Sequence, residues 1–181
     1  MKKNKTSFET NFWAAYEISS PFEVIHAFFD YAHLDYYKHT LGETICYANK
    51  SIVYKKDYPG EIFVFYTALR SFIRACFSLR SKSRKWTVKE SSGFKSILHL
   101  ASLTKEEYQN PFSVFQKAFT EKSLEDFEFL LQEITHMSLC PHNMQFYEDL
   151  MTPYIYLIKM LDAAQLMRER GIKKIKNKEQ S

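Results

Sequence analysis

Glycine is scarce in this sequence, with four residues in 181. So small a supply argues against a fold of tight hairpins and against loops whose backbone cradles phosphate. The G-x-x-x-x-G-K-[ST], G-x-G-x-x-G and G-x-S-x-G patterns are absent, which counts against P-loop, dinucleotide-binding and α/β-hydrolase chemistry. Proline is nearly as rare, with five. Cysteine occurs three times, at Cys46, Cys76 and Cys140, with no C-x-x-C pair. An odd, unclustered set implies no disulfide framework, and reduced thiols in a cytoplasmic protein are the simplest account. Long apolar runs are also missing. The longest, Ile62–Leu69 with Thr67 inside it, falls far short of the ~20 residues a membrane span requires. The basic start, Met1–Lys5, leads into polar residues and not into the apolar segment of a signal peptide. The expectation is a cytoplasmic chain with no membrane contact.

Aromatic side chains are plentiful: sixteen Phe, twelve Tyr and two Trp. Five of them fall in Pro59–Leu79, PGEIFVFYTALRSFIRACFSL. At 3.6 residues per turn its polar side chains, Thr67, Arg70, Ser71, Arg74 and Ser78, form one narrow stripe on an otherwise apolar cylinder. A helix apolar on nearly every side is one buried among others. The segment is therefore predicted to be a central helix, sheathed by its neighbours.

Start and stop signals place the remaining helices. Ser20-Pro21-Phe22-Glu23 reads as a capping box with proline at the first helical position. It opens a helix predicted from Pro21 to about His39, ended by Gly42 or continued with a kink through Cys46. The segment 81–93 is polar, basic and serine-rich, and reads as a long exposed loop. A short helix is predicted over Phe94–Ser102. Thr104–Glu107 is a second capping box, and Asn110-Pro111 interrupts the helix that follows. Ser123–Asp126 starts another, with Phe127, Leu130, Leu131, Ile134 and Met137 on one face. Thr152-Pro153 starts the last, which Gly171 ends. No strand-like alternation appears. The predicted fold class is all-α, a compact multi-helix bundle of about six helices around a central buried helix near 60–79. Residues 1–6 read as a disordered basic arm, 7–171 as a single helical domain and 172–181 as a basic C-terminal tail.

Charge is segregated along the chain. Residues 70–95 hold eight Lys/Arg and one Glu, whereas 104–150 hold three Lys and nine Asp/Glu. Such asymmetry points either to an anion-binding face or to basic and acidic elements that neutralise each other. The anion-binding candidates are Arg70, Arg74, Arg80, Arg84, Lys85 and Trp86, since cations beside an aromatic suit phosphate contact and base stacking. Arg70 and Arg74 lie on the central helix, where a cation requires a carboxylate, and Glu125, Asp126 and Glu128 are the available ones.

Other constellations are thinner. His26, Asp30 and His33, at spacings of four and three on one helix flank, are candidate ligands for a transition metal. One ion reaches Asp30 and one of the histidines, so further ligands must come from elsewhere. Glu133-Ile-Thr-His136 has the Glu-x-x-His spacing of di-metal bundles, but faces away from the predicted core. Cys140-Pro-His142 sets a thiol near an imidazole but has no oxyanion hole, Ser92-Gly-Phe-Lys95 is a chance Ser-x-x-Lys spacing in a predicted loop, and His99 reads as a core histidine. No catalytic constellation is complete. The reading is a helical interaction or regulatory protein with no cofactor, binding a protein partner or itself. The alternatives are a metalloprotein using His26, Asp30 and His33, and a nucleic-acid-binding protein using residues 70–89.

Overall fold

Ser20 and Pro21 do open the first helix, α1 (Pro21–Tyr31), in a computed structural model that describes residues 7–50, 52–55, 60–89, 102–142 and 149–175. The Ser20 hydroxyl makes no capping hydrogen bond, so proline at the first position and Glu23 in the first turn carry the start. The helix ends sooner than predicted. Ala32 adopts an extended backbone, His33 follows in the N-cap position, and a second helix, α2, runs Leu34–Ala48. The cause is aromatic. Turning the chain there lays the Tyr37 ring on Phe28, with centroids 3.7 Å apart, and lets the Tyr37 hydroxyl donate to the Phe28 carbonyl at 2.8 Å. Gly42 does not end a helix either. It sits inside α2, where the Tyr154 hydroxyl would lie 3.8 Å from an added Cβ.

The third helix, α3 (Glu61–Leu79), is the predicted central one. It packs against α1, against α5 (Phe112–Glu121), against α6 (Leu124–Ser138) and against a 3-10 turn at Thr10–Phe12. Phe65, Ala68, Leu69, Phe72, Ile73, Ala75, Cys76 and Leu79 are all 0% exposed, while Phe63 at 56% is the one apolar side chain left in water. By length and composition α3 is also apolar enough to cross a bilayer, yet 61% of that window is buried inside the fold. Its place is the core. The expected polar stripe is folded inward too. Ser71 accepts from the Trp13 indole N–H at 2.9 Å and donates to the Thr67 carbonyl at 3.0 Å.

The N-terminal segment docks through that indole and through Glu17. The Glu17 carboxylate receives the backbone N–H groups of Phe8 at 2.9 Å and Thr10 at 2.9 Å, and the Ser7 hydroxyl at 2.8 Å. Burial pushes its acidity down, but these donors outweigh burial and hold the carboxyl below the usual range.

The remaining helices are α4 (Lys105–Gln109) and α7 (Met151–Arg170). Capping boxes start α4 and α6 as the sequence predicts: Thr104 with Glu107, and Ser123 with Asp126. The all-α bundle therefore has seven helices among the described residues, the break at Ala32-His33 supplying the extra one. Helix α7 is tied at successive turns to different neighbours. Lys159 reaches the buried Glu107 of α4 at 2.7 Å. Lys38 of α2 pairs with the fully buried Asp162, which also accepts from Ser102 at 2.6 Å. Arg168 pairs with Asp30 of α1 at 2.5 Å. The arm 1–6 and most of the predicted Phe94–Ser102 helix lie outside the described residues.

Two strands correct the expectation of none. Trp86–Val88, β1, pairs antiparallel with Ile172–Lys174, β2, in the register Trp86↔Lys174, Thr87↔Lys173 and Val88↔Ile172. Part of the predicted loop and the first residues of the predicted tail thus form one ribbon. Gly171 makes the junction possible. Its φ of 72° and ψ of 164° lie in a region essentially reserved for glycine.

Candidate functional site

The predicted anion-contact residues separate into two groups. Arg70 and Arg74 project from α3 into a cluster with Glu128 of α6 and Glu9 of the N-terminal segment. Arg70 donates to Glu9 at 2.8 Å and lies 3.3 Å from Glu128. Arg74 meets Glu128 through Nε and, at 3.2 Å, through Nη2, and approaches Glu9 at 2.5 Å. Burial pushes the Arg74 guanidinium towards deprotonation, but the two carboxylates outweigh it and raise its pKa. Two cations and two anions close on themselves. Glu128 was legible as a partner. Glu9 was not, because nothing in the sequence sets the N-terminal segment against the polar stripe of α3. Arg80 is committed as well: its guanidinium stacks 3.4 Å from the Phe77 ring centre and donates to the Phe77 carbonyl at 2.5 Å.

Lys85 and Trp86 belong to the ribbon, and Arg84 to the turn before it. In a strand, alternate side chains share a face, and directly paired residues of an antiparallel ladder share it too. Trp86, Val88, Ile172 and Lys174 therefore form the inner face. Val88 is buried there, and the Trp86 ring packs 5.4 Å from Phe22 with the Lys174 ammonium 5.4 Å from its centre. Trp86 is a packing residue in this setting. The base-stacking role expected of it requires a free ring face, and Phe22 and Lys174 occupy its surroundings.

The outer face carries Lys85, Thr87, Lys89, Lys173 and Ile175. Backbone bonds from Ile175 to the Lys85 carbonyl (2.9 Å) and from Lys89 to the Gly171 carbonyl (3.0 Å) extend the ladder at both ends and keep these positions in register. Arg170 fastens the ribbon to the bundle, donating to the Lys89 carbonyl at 2.8 Å and the Tyr108 carbonyl at 3.0 Å. Lys85, Lys89 and Lys173 are exposed, as are Lys82 and Arg84 in the turn before β1. None of these five is in an ion pair with a described residue. The carboxylate nearest in sequence to β2, Glu169, accepts from Gln165 at 2.8 Å one turn back along α7. Sequence reasoning did not join Lys173 to Lys85 and Lys89. The available signals were the β-prone Trp-Thr-Val triplet and the glycine that follows a long helix.

The candidate metal ligands are not assembled as their spacing suggests. His26 and Asp30 are exposed on α1, but His33 stands beyond the break, and Asp30 pairs with Arg168. His26 and Asp30 do border an open cleft of about 420 Å³ against the N-terminal segment, shared with Glu23 and the committed Glu17. Among the described residues no group of three or more His, Cys, Asp or Glu is placed to hold a metal ion. Glu133 is half-buried and His136 exposed on α6, and beyond that helix Cys140 is half-buried and His142 exposed. The pair Ser92 and Lys95, and His99, lie outside the described residues.

Fold and surface together define a class: an all-α bundle that carries a basic two-stranded ribbon beyond its last helix. Comparison with known proteins adds no relative, since no family model, curated protein or solved structure matches the chain.

Proposed function

We propose that this chain is an interaction protein, a helical scaffold that holds a basic ribbon out to an anionic partner. One observation carries the reading. The arginines of the core helix are neutralised within the fold, whereas Lys85, Lys89 and Lys173 stand on one exposed face without a described carboxylate beside them. Cations brought together from positions so far apart in sequence, and held by a ladder, raise the local potential more than the same charges scattered over a surface. The reading includes a cytoplasmic setting, which the three free thiols support.

Heparin chromatography of the full chain tests it. The triple variant Lys85→Gln/Lys89→Gln/Lys173→Gln is expected to elute at clearly lower salt than the wild type. Lys50→Gln/Lys55→Gln/Lys122→Gln, which removes the same charge elsewhere, is expected to elute much nearer to it. Equal shifts for the two variants would mean that net charge alone governs binding, and the ribbon would lose its role.

A further inference from the structure

Resting on that reading, we infer that the anionic partner is a nucleic-acid duplex, held by its phosphates and not read through its bases. The spacing of the cations is the first reason. At about 3.3 Å per residue, Lys85 and Lys89 stand about 13 Å apart along β1, with Lys173 opposite the midpoint between them. A duplex carries one charge per ~1.7 Å of axis, both strands counted, so that length holds on the order of eight phosphates, of which those on the near side meet the ribbon. Three ammonium groups on a fixed backbone meet such a charge lattice without any chain having to be ordered first.

The second reason is what the outer face does not offer. Among side chains that read base edges, Arg, Asn and Gln present planar forks of fixed geometry, whereas lysine is a point charge on a flexible stem and fixes no orientation. The outer face has no such fork, and the guanidiniums nearby are committed to Phe77 and Tyr108, leaving Arg84 alone in the preceding turn. Single strands are held largely by stacking on aromatic rings, and the ribbon's only ring, Trp86, is packed inward against Phe22. An anionic lipid surface holds a chain through a larger basic cluster or through cations beside a substantial apolar face, and here three lysines share the face with a single outward apolar side chain, Ile175. A protein partner would require a buried aromatic or aliphatic anchor, which the three lysines do not provide. Phosphates on a rigid double helix suit the face best.

Fluorescence anisotropy with the full chain and a short labelled duplex tests the inference, with salt varied between about 50 and 200 mM. Two duplexes of unrelated sequence are expected to bind alike, with log K falling against log salt at a slope of about −2.7 or steeper for three phosphates neutralised. Lys85→Gln/Lys89→Gln/Lys173→Gln, checked for helicity by circular dichroism, is expected to bind about tenfold more weakly and to flatten that slope by about two to three. Lys50→Gln/Lys55→Gln/Lys122→Gln, which removes the same charge, is expected to change each by a third of that or less. The wild-type slope stands independently of how any variant folds. Failure to bind duplex, combined with ribbon-dependent binding of polyglutamate or of vesicles containing phosphatidylserine, would overturn the duplex and leave the ribbon as the docking surface. Strong preference for one sequence or for single strands would also overturn it. Binding to none of these polyanions would overturn both the inference and the reading beneath it.

Discussion

Replacing Phe72 with alanine is expected to cost about 3–5 kcal/mol of unfolding free energy, among the largest single effects in the molecule. Phe72 is fully buried at the middle of α3 and stacks on Phe28 with centroids 4.6 Å apart. Phe28 in turn stacks on Tyr37, whose hydroxyl fixes the turn between α1 and α2, and Phe29 meets Phe72 edge-on at 6.2 Å. Truncation therefore removes transfer free energy, opens a cavity among rings that cannot collapse freely, and loosens the contact that folds α2 onto α1. A domain with about 5–15 kcal/mol in hand has little left after such a loss. Phe63→Ala, on the same helix but mostly in water, is expected to stay within about 0.5 kcal/mol of the wild type. Urea titration followed by circular dichroism measures both. A Phe72→Ala loss below about 1 kcal/mol would show that α3 is not enclosed as described.

The second large effect is expected at the arginine cluster. Arg74→Met removes a guanidinium held by Glu128 and Glu9, and Glu128→Gln removes the carboxylate that both arginines approach. Each change leaves partly buried charge without its main counter-ion. Breaking a fully buried pair costs about 3–5 kcal/mol, and the residual exposure of these side chains brings the expected loss to about 2 kcal/mol each. The double variant is expected to lose at least 1 kcal/mol less than the sum of the single ones, because the second change removes a charge already stranded by the first. Additivity to within about 0.5 kcal/mol in the same titration would mean that the groups do not act together.

How far the sequence revealed this molecule depended on the range of the interactions. Local signals held. Thr104 with Glu107 and Ser123 with Asp126 are reciprocal caps closed within four residues, and both are formed. The all-round apolarity of α3 is a property of one segment, and it too was legible. The break at Ala32-His33 was not, because no glycine or proline marks it and the apolar spacing runs straight through. What breaks the helix is Tyr37 finding Phe28, a contact that exists only once the chain has turned. The ribbon was hidden for the same reason on a larger scale. Three-residue strands carry too little alternation to register, and Lys173 is indistinguishable from a solvated tail until Val88 and Ile172 are paired. Trp86 shows the cost of reading an aromatic among cations locally, since its partners are Phe22 from α1 and Lys174 from the far end of the chain. The candidate metal residues failed in the opposite sense. Their spacing assumed a single helix, and the turn after Tyr31 separates His33 from His26 and Asp30.

The claim on which the functional account rests is that a partner's charge lands on one face of the β1–β2 ribbon. Lysine acetylation of the full chain, read residue by residue by mass spectrometry with and without saturating heparin, measures this directly. Lys85, Lys89 and Lys173 are expected to lose reactivity together, while Lys50, Lys55 and Lys122 keep theirs. Protection spread evenly over all six, or centred on the second three, would contradict the account.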